Sequence, residues 1–169
     1  RWLGGYRKLV RAMPNTPALV RSGVTGLFAL DAVDATARQL TEEIMSAIGS
    51  WFWVPAEAMM DAVTAVSGSG PAYVFYFLEA LESGALQAGF DARSARQMAL
   101  DTVLGAARLA AEGGESFAVL RQRVTSKGGT TEAALNVMNA CAVGDGIVKG
   151  MQAAEARGRE LGEQLGRDS

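Results

Sequence analysis

Two patterns of hydrophobic positions divide the chain. Before residue 60, short runs of β-branched and aromatic residues lie between turn residues, which is typical of the strands of an α/β domain. After residue 60, apolar residues recur with the spacing of helices and strand signals nearly vanish. The pattern predicts α/β structure over residues 1–60 and an all-helical domain over residues 61–169.

The first part is expected to contain three strands and one helix. Its strand-forming runs are separated by turn residues, and a polar capping residue precedes one helical run that ends at a glycine. A turn bracketed by two prolines follows the first strand and is expected to be stiff and non-helical. The strands are expected at residues 8–13, 23–29 and 51–54, and the helix at residues 34–48 with Asp34 or a near neighbour as its cap.

The second part is expected to be a succession of helices. Ser67–Gly70 should interrupt the first of them, and Pro71 should begin the next, where its missing N–H costs nothing. A later helix ends at the glycine pair Gly113-Gly114, and the next one begins after the capping residue Ser116. The helices are expected at about residues 57–66, 71–87, 92–111, 116–121, 130–139 and 145–165.

One of these helices is apolar nearly all round in its first half. The residues from Tyr73 to Leu78 are all apolar or aromatic. A helix of this kind has to be buried on every side, and a domain of this size has difficulty surrounding it. A second subunit is therefore the simplest partner for this helix.

The last helix carries a small residue at every fourth position. Each interior glycine costs roughly 0.8–1 kcal/mol relative to alanine, so the pattern requires a cause. Small residues let two helices approach closely, which predicts that this stripe lies against another helix, from this chain or from a second subunit. A frayed, weakly helical tail is the alternative. The stripe consists of Gly150, Ala154, Gly158, Gly162 and Gly166.

A glycine- and threonine-rich segment introduces the helix expected at residues 130–139. Gly128 and Gly129 allow unusual backbone conformations, and Thr130 and Thr131 follow where the helix begins. The unpaired N–H groups and the positive dipole end of such a helix attract an anion. On shape alone, an ordinary capped helix after a loop remains the alternative.

Composition and charge exclude several function classes. The chain has one cysteine, Cys141, and no histidine, which excludes disulfide frameworks, most zinc sites and His-dependent triads. We therefore expect no metal and a reducing, cytoplasmic location. The net charge of −2 gives no basic surface for nucleic acid or an anionic membrane. The longest uncharged run, residues 62–78, is too short and too interrupted to span a membrane.

Three stretches in this order resemble one enzyme family. They are MPNTP at Met13–Pro17, SGSGPAY at Ser67–Tyr73 and VTSKGGTTEAAL at Val124–Leu135. Together they closely resemble motifs of pyrroline-5-carboxylate reductase, the last enzyme of proline biosynthesis. The resemblance implies a mainly α fold, in which the last strands of a Rossmann-type α/β domain precede a helical dimerisation domain like the C-terminal domain of 6-phosphogluconate dehydrogenase. It also implies a homodimer, from which a higher oligomer can be built.

The resemblance further implies the reduction of 1-pyrroline-5-carboxylate to L-proline with hydride from NADPH or NADH. The substrate carboxylate is expected on the N–H groups of Gly129, Thr130 and Thr131. The hydroxyl of Thr131 is expected near the ring nitrogen, as the catalytic group. The residues expected to bind the substrate are Val124, Ser126, Gly128, Gly129, Thr130 and Thr131.

The other two motifs are expected to bind the cofactor. By resemblance, the turn MPNTP lies beside the nicotinamide end of the cofactor, with Asn15 and Thr16 presenting free polar side chains at its apex. The turn SGSGP is expected to form a wall of the active site, although a plain helix junction is the alternative. The expected cofactor-binding residues are Met13, Pro14, Asn15, Thr16, Pro17, Ser69, Gly70 and Pro71.

The chain begins at Arg1 and has no G-x-G-x-x-G after a strand, so we expect a fragment that lacks most of its nucleotide-binding domain and is inactive or nearly so alone.

Two other functions remain open. One is a non-enzymatic helical dimerisation module. The other is a related reductase of a different small acid, which would be expected to carry a catalytic lysine on a domain-joining helix. Lys127 and Lys149 are expected in a loop and near a helix start instead.

Overall fold

The computed structural model describes residues 4–167. Within this range, three strands and seven α-helices form two compact units, one with the residues up to 72 and from 148 onward, the other with residues 73–147. The fold is mainly α with a small sheet, as predicted. The domain boundary expected at residue 60 stays a prediction, and residues 1–3 and 168–169 of the predicted domains lie outside the described residues.

The three strands form one mixed sheet. In order across the sheet they are β1 (Val10–Pro14), β2 (Gly23–Ala29) and β3 (Gly49–Trp53). β1 and β2 are antiparallel, whereas β2 and β3 are parallel. Helix α1 (Ala35–Ser46), capped by Asp34, makes the crossover connection that parallel strands require. The predicted strands and helix are confirmed, with ends that differ by at most a few residues.

The turn after β1 differs from the prediction. Thr16–Val20 forms a 3-10 helix, where the sequence predicts a stiff non-helical turn. The fixed φ of a proline restricts the residue before it, but the same φ also suits the first turn of a helix, and Pro17 occupies that position. Only the first residues of the segment are extended, because Met13 and Pro14 belong to β1.

One face of the sheet packs against helix α2 (Met59–Val63). Gly26, in the middle of β2, lies so close to Val63 that a Cβ atom there would be 2.6 Å from a methyl carbon of that valine. The missing side chain therefore lets the helix approach the sheet. The core on this face consists of Val54, Met60 and Val63, with Met13 and Phe28 packed against them.

Thr25 places an unpaired polar group inside the sheet. Its side chain is fully buried in β2, and its hydroxyl has no hydrogen-bond partner among the described residues. A buried polar group without a partner costs roughly 1–3 kcal/mol. We expect Thr25→Val, which exchanges the hydroxyl for a methyl group of similar size, to raise the free energy of unfolding by about 1 kcal/mol. Urea denaturation followed by circular dichroism measures the change.

Thr41→Val is the matched control for this prediction. The Thr41 hydroxyl, on α1, donates to the carbonyl of Ala37 at 2.8 Å, so its removal is expected to leave the free energy of unfolding unchanged or to lower it. If Thr25→Val loses as much stability as Thr41→Val, the Thr25 hydroxyl is paired in solution and the interpretation is wrong.

A π-helical segment joins α2 to helix α3 (Gly70–Gln87). In this segment, Thr64–Gly68, the N–H of Ser69 donates to the carbonyl of Thr64 at 2.8 Å, an i→i+5 bond that inserts one extra residue into the helical path. The predicted interruption at Ser67–Gly70 is narrower than expected, because the π-helical segment extends through Gly68 and α3 begins at Gly70, which leaves only Ser69 between them. Pro71 lies in the first turn of α3, where its missing N–H costs nothing.

Four more helices complete the described chain. They are α4 (Ala92–Gly113), α5 (Phe117–Arg123), α6 (Thr130–Ala140) and α7 (Val143–Arg167). Asp91 caps α4. Its pKa lies below the ordinary 3.8, mainly because the Ser94 hydroxyl donates a hydrogen bond to its carboxylate, and to a smaller extent because backbone N–H groups also donate to it. A carboxylate with a lowered pKa stabilises the fold above its unfolded pKa, and this contribution is lost as the pH falls through the folded pKa. Ser116 caps α5, as predicted.

The apolar surface of α3 is largely uncovered. None of its described residues is fully buried, and the side chains of Phe75 and Tyr76 are 59% and 77% exposed. The sequence predicts that this helix is buried on every side. Residues 4–167 therefore do not supply the burial that this helix requires.

The small-residue stripe of α7 contacts another helix at one position. A Cβ atom at Gly158 would lie 3.7 Å from Oδ1 of Asp61 on α2, which is an ordinary contact distance. At Gly150, Gly162 and Gly166, such an atom would have no described neighbour within 4 Å. The predicted helix contact therefore forms at Gly158, and contact of the rest of the stripe with a second subunit stays a prediction.

Candidate functional site

The predicted substrate-binding loop connects α5 to α6 and is anchored at its first residues. The N–H of Thr125 donates to the carbonyl of Gln122 at 3.1 Å, and the Thr125 hydroxyl donates to the carbonyl of Arg121 at 2.6 Å. Val124, just before this anchor, is 63% exposed. The loop therefore leaves α5 in a fixed direction, and its predicted site residues follow in one short segment.

Two glycines shape the next turn for different reasons. Gly128 has a φ of +73°, a left-handed conformation that residues with side chains disfavour. Gly129 has an ordinary φ of −86°, but a Cβ atom there would collide with the hydroxyl of Ser126. The first position thus favours glycine for its backbone conformation, whereas a side chain at the second would displace the Ser126 hydroxyl and lie only 3.1 Å from the Ser126 carbonyl oxygen.

The N–H group of Gly129 is already used within the loop. It donates to the carbonyl of Ser126 at 3.0 Å and so closes the turn. The prediction that Gly129, Thr130 and Thr131 all offer free N–H groups is therefore wrong at Gly129. The physical reason is that Gly129 is the N-cap, which lies half outside the helix, and the preceding turn takes its N–H.

Thr130 and Thr131 begin α6 with unpaired donors. Their N–H groups have no acceptor within the described residues, as expected for the first turn of a helix. The hydroxyls of Ser126, Thr130 and Thr131 also make no hydrogen bond in this part of the chain. Thr131 is half-buried and Thr130 is exposed. Together with the positive end of the α6 dipole, these groups can hold a carboxylate.

Glu132 is a residue of this site that sequence reasoning missed. It is the third residue of α6, and its Oε2 accepts a hydrogen bond from the N–H of Gly128 at 2.8 Å. A glutamate at the third position of a helix often reaches back to an N–H near the cap. The order Gly-Thr-Thr-Glu at residues 129–132 therefore contained the signal.

Positive charge lies beside the loop, in a separate groove. This open groove of about 610 Å³ lies between α5 and α6. Arg121 and Lys127 line it, and neither forms an ion pair within residues 4–167. Arg123, the last residue of α5, pairs with Glu115. Residues 128–131 do not line the groove, but the two cations add positive charge next to the loop, which attracts anions to the region.

Asn15 joins the two motifs predicted to bind the cofactor. Its Nδ2 donates to the carbonyl and the hydroxyl of Ser67, each at 3.3 Å, and its Oδ1 accepts from the N–H of Val24 at 2.9 Å. The prediction of a free Asn15 side chain is therefore wrong. The reason is that backbone groups at the end of a strand and in the π-helical segment need partners, and this amide supplies them.

The two motifs lie side by side within the first compact unit. A Cβ atom at Gly68 would lie 3.0 Å from the terminal methyl group of Met13. The hydroxyls of Thr16 and Ser69 make no hydrogen bond within the described residues. The structure thus brings residues 13–17 and 67–71 together, whereas the loop at residues 124–131 belongs to the other unit.

We expect Asn15→Ala to lower the free energy of unfolding by about 2 kcal/mol, because it leaves the Val24 N–H and the Ser67 carbonyl without partners in a half-buried position. Asn15→Asp keeps the acceptor for Val24 but turns a carboxylate oxygen toward the Ser67 carbonyl in place of a donor, so we expect it to be less stable than the unchanged chain as well. Urea denaturation of both variants provides the comparison. A variant Asn15→Ala as stable as the unchanged chain would contradict this role of Asn15.

Among residues 4–167, no three His, Cys, Asp or Glu side chains lie close enough together to hold a metal ion. No helix of the same range has both the length and the apolar character needed to cross a membrane. The groups that the candidate site offers are backbone N–H groups and hydroxyls.

Comparison with known proteins agrees with the motifs. A family model described as pyrroline-5-carboxylate reductase dimerisation matches residues 57–161. The pyrroline-5-carboxylate reductase of Pseudomonas aeruginosa is 44% identical over 165 residues, which cover 98% of this chain and 60% of that protein.

Two solved structures are also similar. The pyrroline-5-carboxylate reductase of Coxiella burnetii has a TM-score of 0.91 at 47% identity, and the matched region covers 95% of this chain and 59% of that protein's chain. The pyrroline carboxylate reductase of Plasmodium falciparum, solved with NADP bound, has a TM-score of 0.85 at 27% identity, with 90% of this chain and 62% of its own covered. The chain spans about three-fifths of the length of these relatives. It belongs to the pyrroline-5-carboxylate reductase family.

Proposed function

We propose that this chain is the dimerisation and substrate-binding part of an enzyme that reduces 1-pyrroline-5-carboxylate to L-proline with hydride from NADPH or NADH. The observation that carries the proposal is the start of α6, where the N–H groups of Thr130 and Thr131 have no acceptor within the described residues. The names of the relatives support the reaction. Because the chain spans about three-fifths of them, the activity is proposed for a protein that contains this chain.

The substrate carboxylate is proposed to bind at the first turn of α6. The two threonine N–H groups donate to its oxygens, and the helix dipole adds a favourable interaction with its charge. The free hydroxyl of Ser126 and the exposed side chain of Val124 lie on the same loop, where they complete the substrate position. Fixing the carboxylate also fixes the five-membered ring, which is the main requirement of a transfer between two planar partners.

The Thr131 hydroxyl is proposed to orient the imine. When bound, NADPH or NADH supplies the hydride that saturates the imine carbon, while the nitrogen gains a proton. Thr131 is half-buried and its hydroxyl has no partner in the described chain, so it is available to donate a hydrogen bond to the ring nitrogen. Because a threonine hydroxyl is a weak acid, orientation and charge stabilisation are its proposed roles, and the proton comes from water.

The cofactor is proposed to bind along residues 13–17 and 69–71. The residues present fit such a group, since the hydroxyls of Thr16 and Ser69 are unpaired within the described chain and Gly70 faces open space. Asn15 acts here by holding the two motifs together. The NADP bound in the Plasmodium falciparum relative supports a nicotinamide cofactor. The proposed contacts are Met13, Pro14, Asn15, Thr16, Pro17, Ser69, Gly70 and Pro71.

A homodimer is proposed to cover helix α3. The exposed Phe75 and Tyr76 are large apolar surfaces of the kind that dimer interfaces bury. The description of the matching family model supports the same arrangement. A higher oligomer built from dimers and a cytoplasmic location stay predictions.

A non-enzymatic dimerisation module is the second candidate, favoured by the same exposed helix. Oxidation of NADPH in the presence of 1-pyrroline-5-carboxylate separates the two functions, if it is measured for this chain alone and for the chain joined to an N-terminal dinucleotide-binding unit. The proposal predicts turnover in the longer protein and little or none in this chain. A longer protein that dimerises without oxidising NADPH would favour the module, and turnover only with a different small acid would favour the related reductase.

A further inference from the structure

We infer that Glu132 is a positioning residue. Its carboxylate holds the turn at Gly128 and Gly129 in the conformation that presents the N–H groups of Thr130 and Thr131 to a carboxylic-acid substrate. The inference rests on the proposed function, because it concerns the same carboxylate position.

The first observation is the bond itself. Oε2 of Glu132 lies 2.8 Å from the N of Gly128, so the third residue of α6 is joined to the residue just before the helix cap. On the other side of the turn, Gly129 donates to the carbonyl of Ser126 at 3.0 Å. From α6, the N–H of Ala133 donates to the carbonyl of Gly129 at 3.2 Å, and the Glu132 carboxylate accepts from the N–H of Gly128. Glu132 is thus the residue of α6 whose side chain holds the Gly128 N–H.

The second observation is the choice of partner. Arg121 and Lys127 line the same groove as Glu132, yet the Glu132 carboxylate forms no ion pair within residues 4–167. It accepts from a backbone N–H instead. Bonds between an ionised acceptor and an N–H are stronger than bonds between neutral groups. The Glu132 carboxylate is therefore bonded to the turn and not paired with the neighbouring cations.

The third observation concerns the residue that is held. Gly128 has a φ of +73°, is exposed, and a Cβ atom there would meet nothing within 4 Å. Glycine has the largest backbone freedom of any residue, and a bond to its own N–H removes much of that freedom. The turn is then preorganised, and the substrate loses less affinity in ordering it.

Removing the carboxylate has two opposing effects on an anionic ligand. The turn loses its restraint, which weakens binding, and the helix start loses a negative charge, which strengthens binding. Glu132→Gln and Glu132→Ala both remove the charge, but only the glutamine keeps an oxygen that can accept from Gly128. The difference between these two variants therefore isolates the hydrogen bond.

The test uses the chain as it stands, with L-proline as the probe and NMR titration as the measurement. We expect Glu132→Ala to bind proline about tenfold more weakly than Glu132→Gln, the size of effect expected for one hydrogen bond to a charged or amide acceptor. We also expect faster hydrogen exchange of the Gly128 amide in Glu132→Ala alone. Glu112→Ala, an exposed change on α4, is the matched control and should change neither quantity.

Each outcome decides between the proposals. If the unchanged chain binds proline and Glu132→Ala binds it as tightly as Glu132→Gln, the inference is overturned and the proposed function stands. If the unchanged chain does not bind proline, the proposed carboxylate position fails, and the inference fails with it. If Glu132→Ala loses its helical circular dichroism, Glu132→Met gives the same comparison, because it keeps the side-chain length without an oxygen acceptor.

Discussion

Replacing Thr131 by alanine is expected to lower kcat about a hundredfold in a reductase that contains this chain, the loss typical for a donor that stabilises charge in the transition state. The hydroxyl of Thr131 is half-buried and without a partner in the described chain, so it is free to bond the ring nitrogen. The KM for 1-pyrroline-5-carboxylate should change little, because the backbone N–H groups that bind the carboxylate remain. Steady-state oxidation of NADPH measures both constants.

Thr36→Ala is the matched control for this experiment. Thr36 is the second residue of α1, the same helical position that Thr131 occupies in α6, and it is exposed. Loss of a threonine hydroxyl at a helix start should by itself leave kcat unchanged. Normal turnover in the Thr131 variant would remove this residue from the active site.

Replacing Tyr76 by aspartate is expected to weaken the homodimer at least about a hundredfold. Tyr76 is 77% exposed in the single chain, in the middle of the apolar half of α3. A carboxylate placed in an apolar interface loses its hydration without gaining a partner, at a cost of about 3 kcal/mol or more. Sedimentation equilibrium measures the change in the dissociation constant.

Tyr6→Asp provides the comparison for Tyr76→Asp. Tyr6 is also exposed, at 61%, and lies outside the residues that match the dimerisation model. It should therefore leave the dimer intact. If Tyr76→Asp dimerises as strongly as the unchanged chain, α3 does not form the interface, and the homodimer proposed here would have to use another surface.

Elements set by local pattern could be predicted from the sequence. The bounds of β2, Gly23–Ala29, follow from a run of strand formers between turn residues, and the cap of α1 follows from Asp34 before a helical run. The 3-10 helix at Thr16–Val20 could not be predicted in this way. A proline there fits either an extended turn or the first turn of a helix. In the folded chain the helical turn brings Ala18 close to Gly23, a contact that the local sequence does not reveal.

Hydrogen-bond partners were harder to predict than elements. Asn15 bonds to Ser67, which is 52 positions away, and no local pattern shows that two such segments will meet. The unpaired hydroxyl of Thr25 likewise depends on what the sheet and its neighbours leave around it. The bond between the Gly129 N–H and the Ser126 carbonyl is local. It was not predicted because the general rule that the first N–H groups of a helix lack partners takes no account of the loop before the cap.

The sequence motifs indicated where the candidate site lies, and the predicted helix start indicated which groups it offers to a ligand. The threonines are where the sequence predicts them, at the first positions of α6. Glu132 could have been recognised from its spacing, since a glutamate at the third helical position is a known capping signal.

The most direct test of the central claim is a crystal structure of this chain with L-proline. We predict that the proline carboxylate lies at hydrogen-bond distance, about 3 Å, from the backbone nitrogens of Thr130 and Thr131. Proline bound elsewhere, or those two N–H groups covered by an acceptor of the protein itself, would contradict the proposed site.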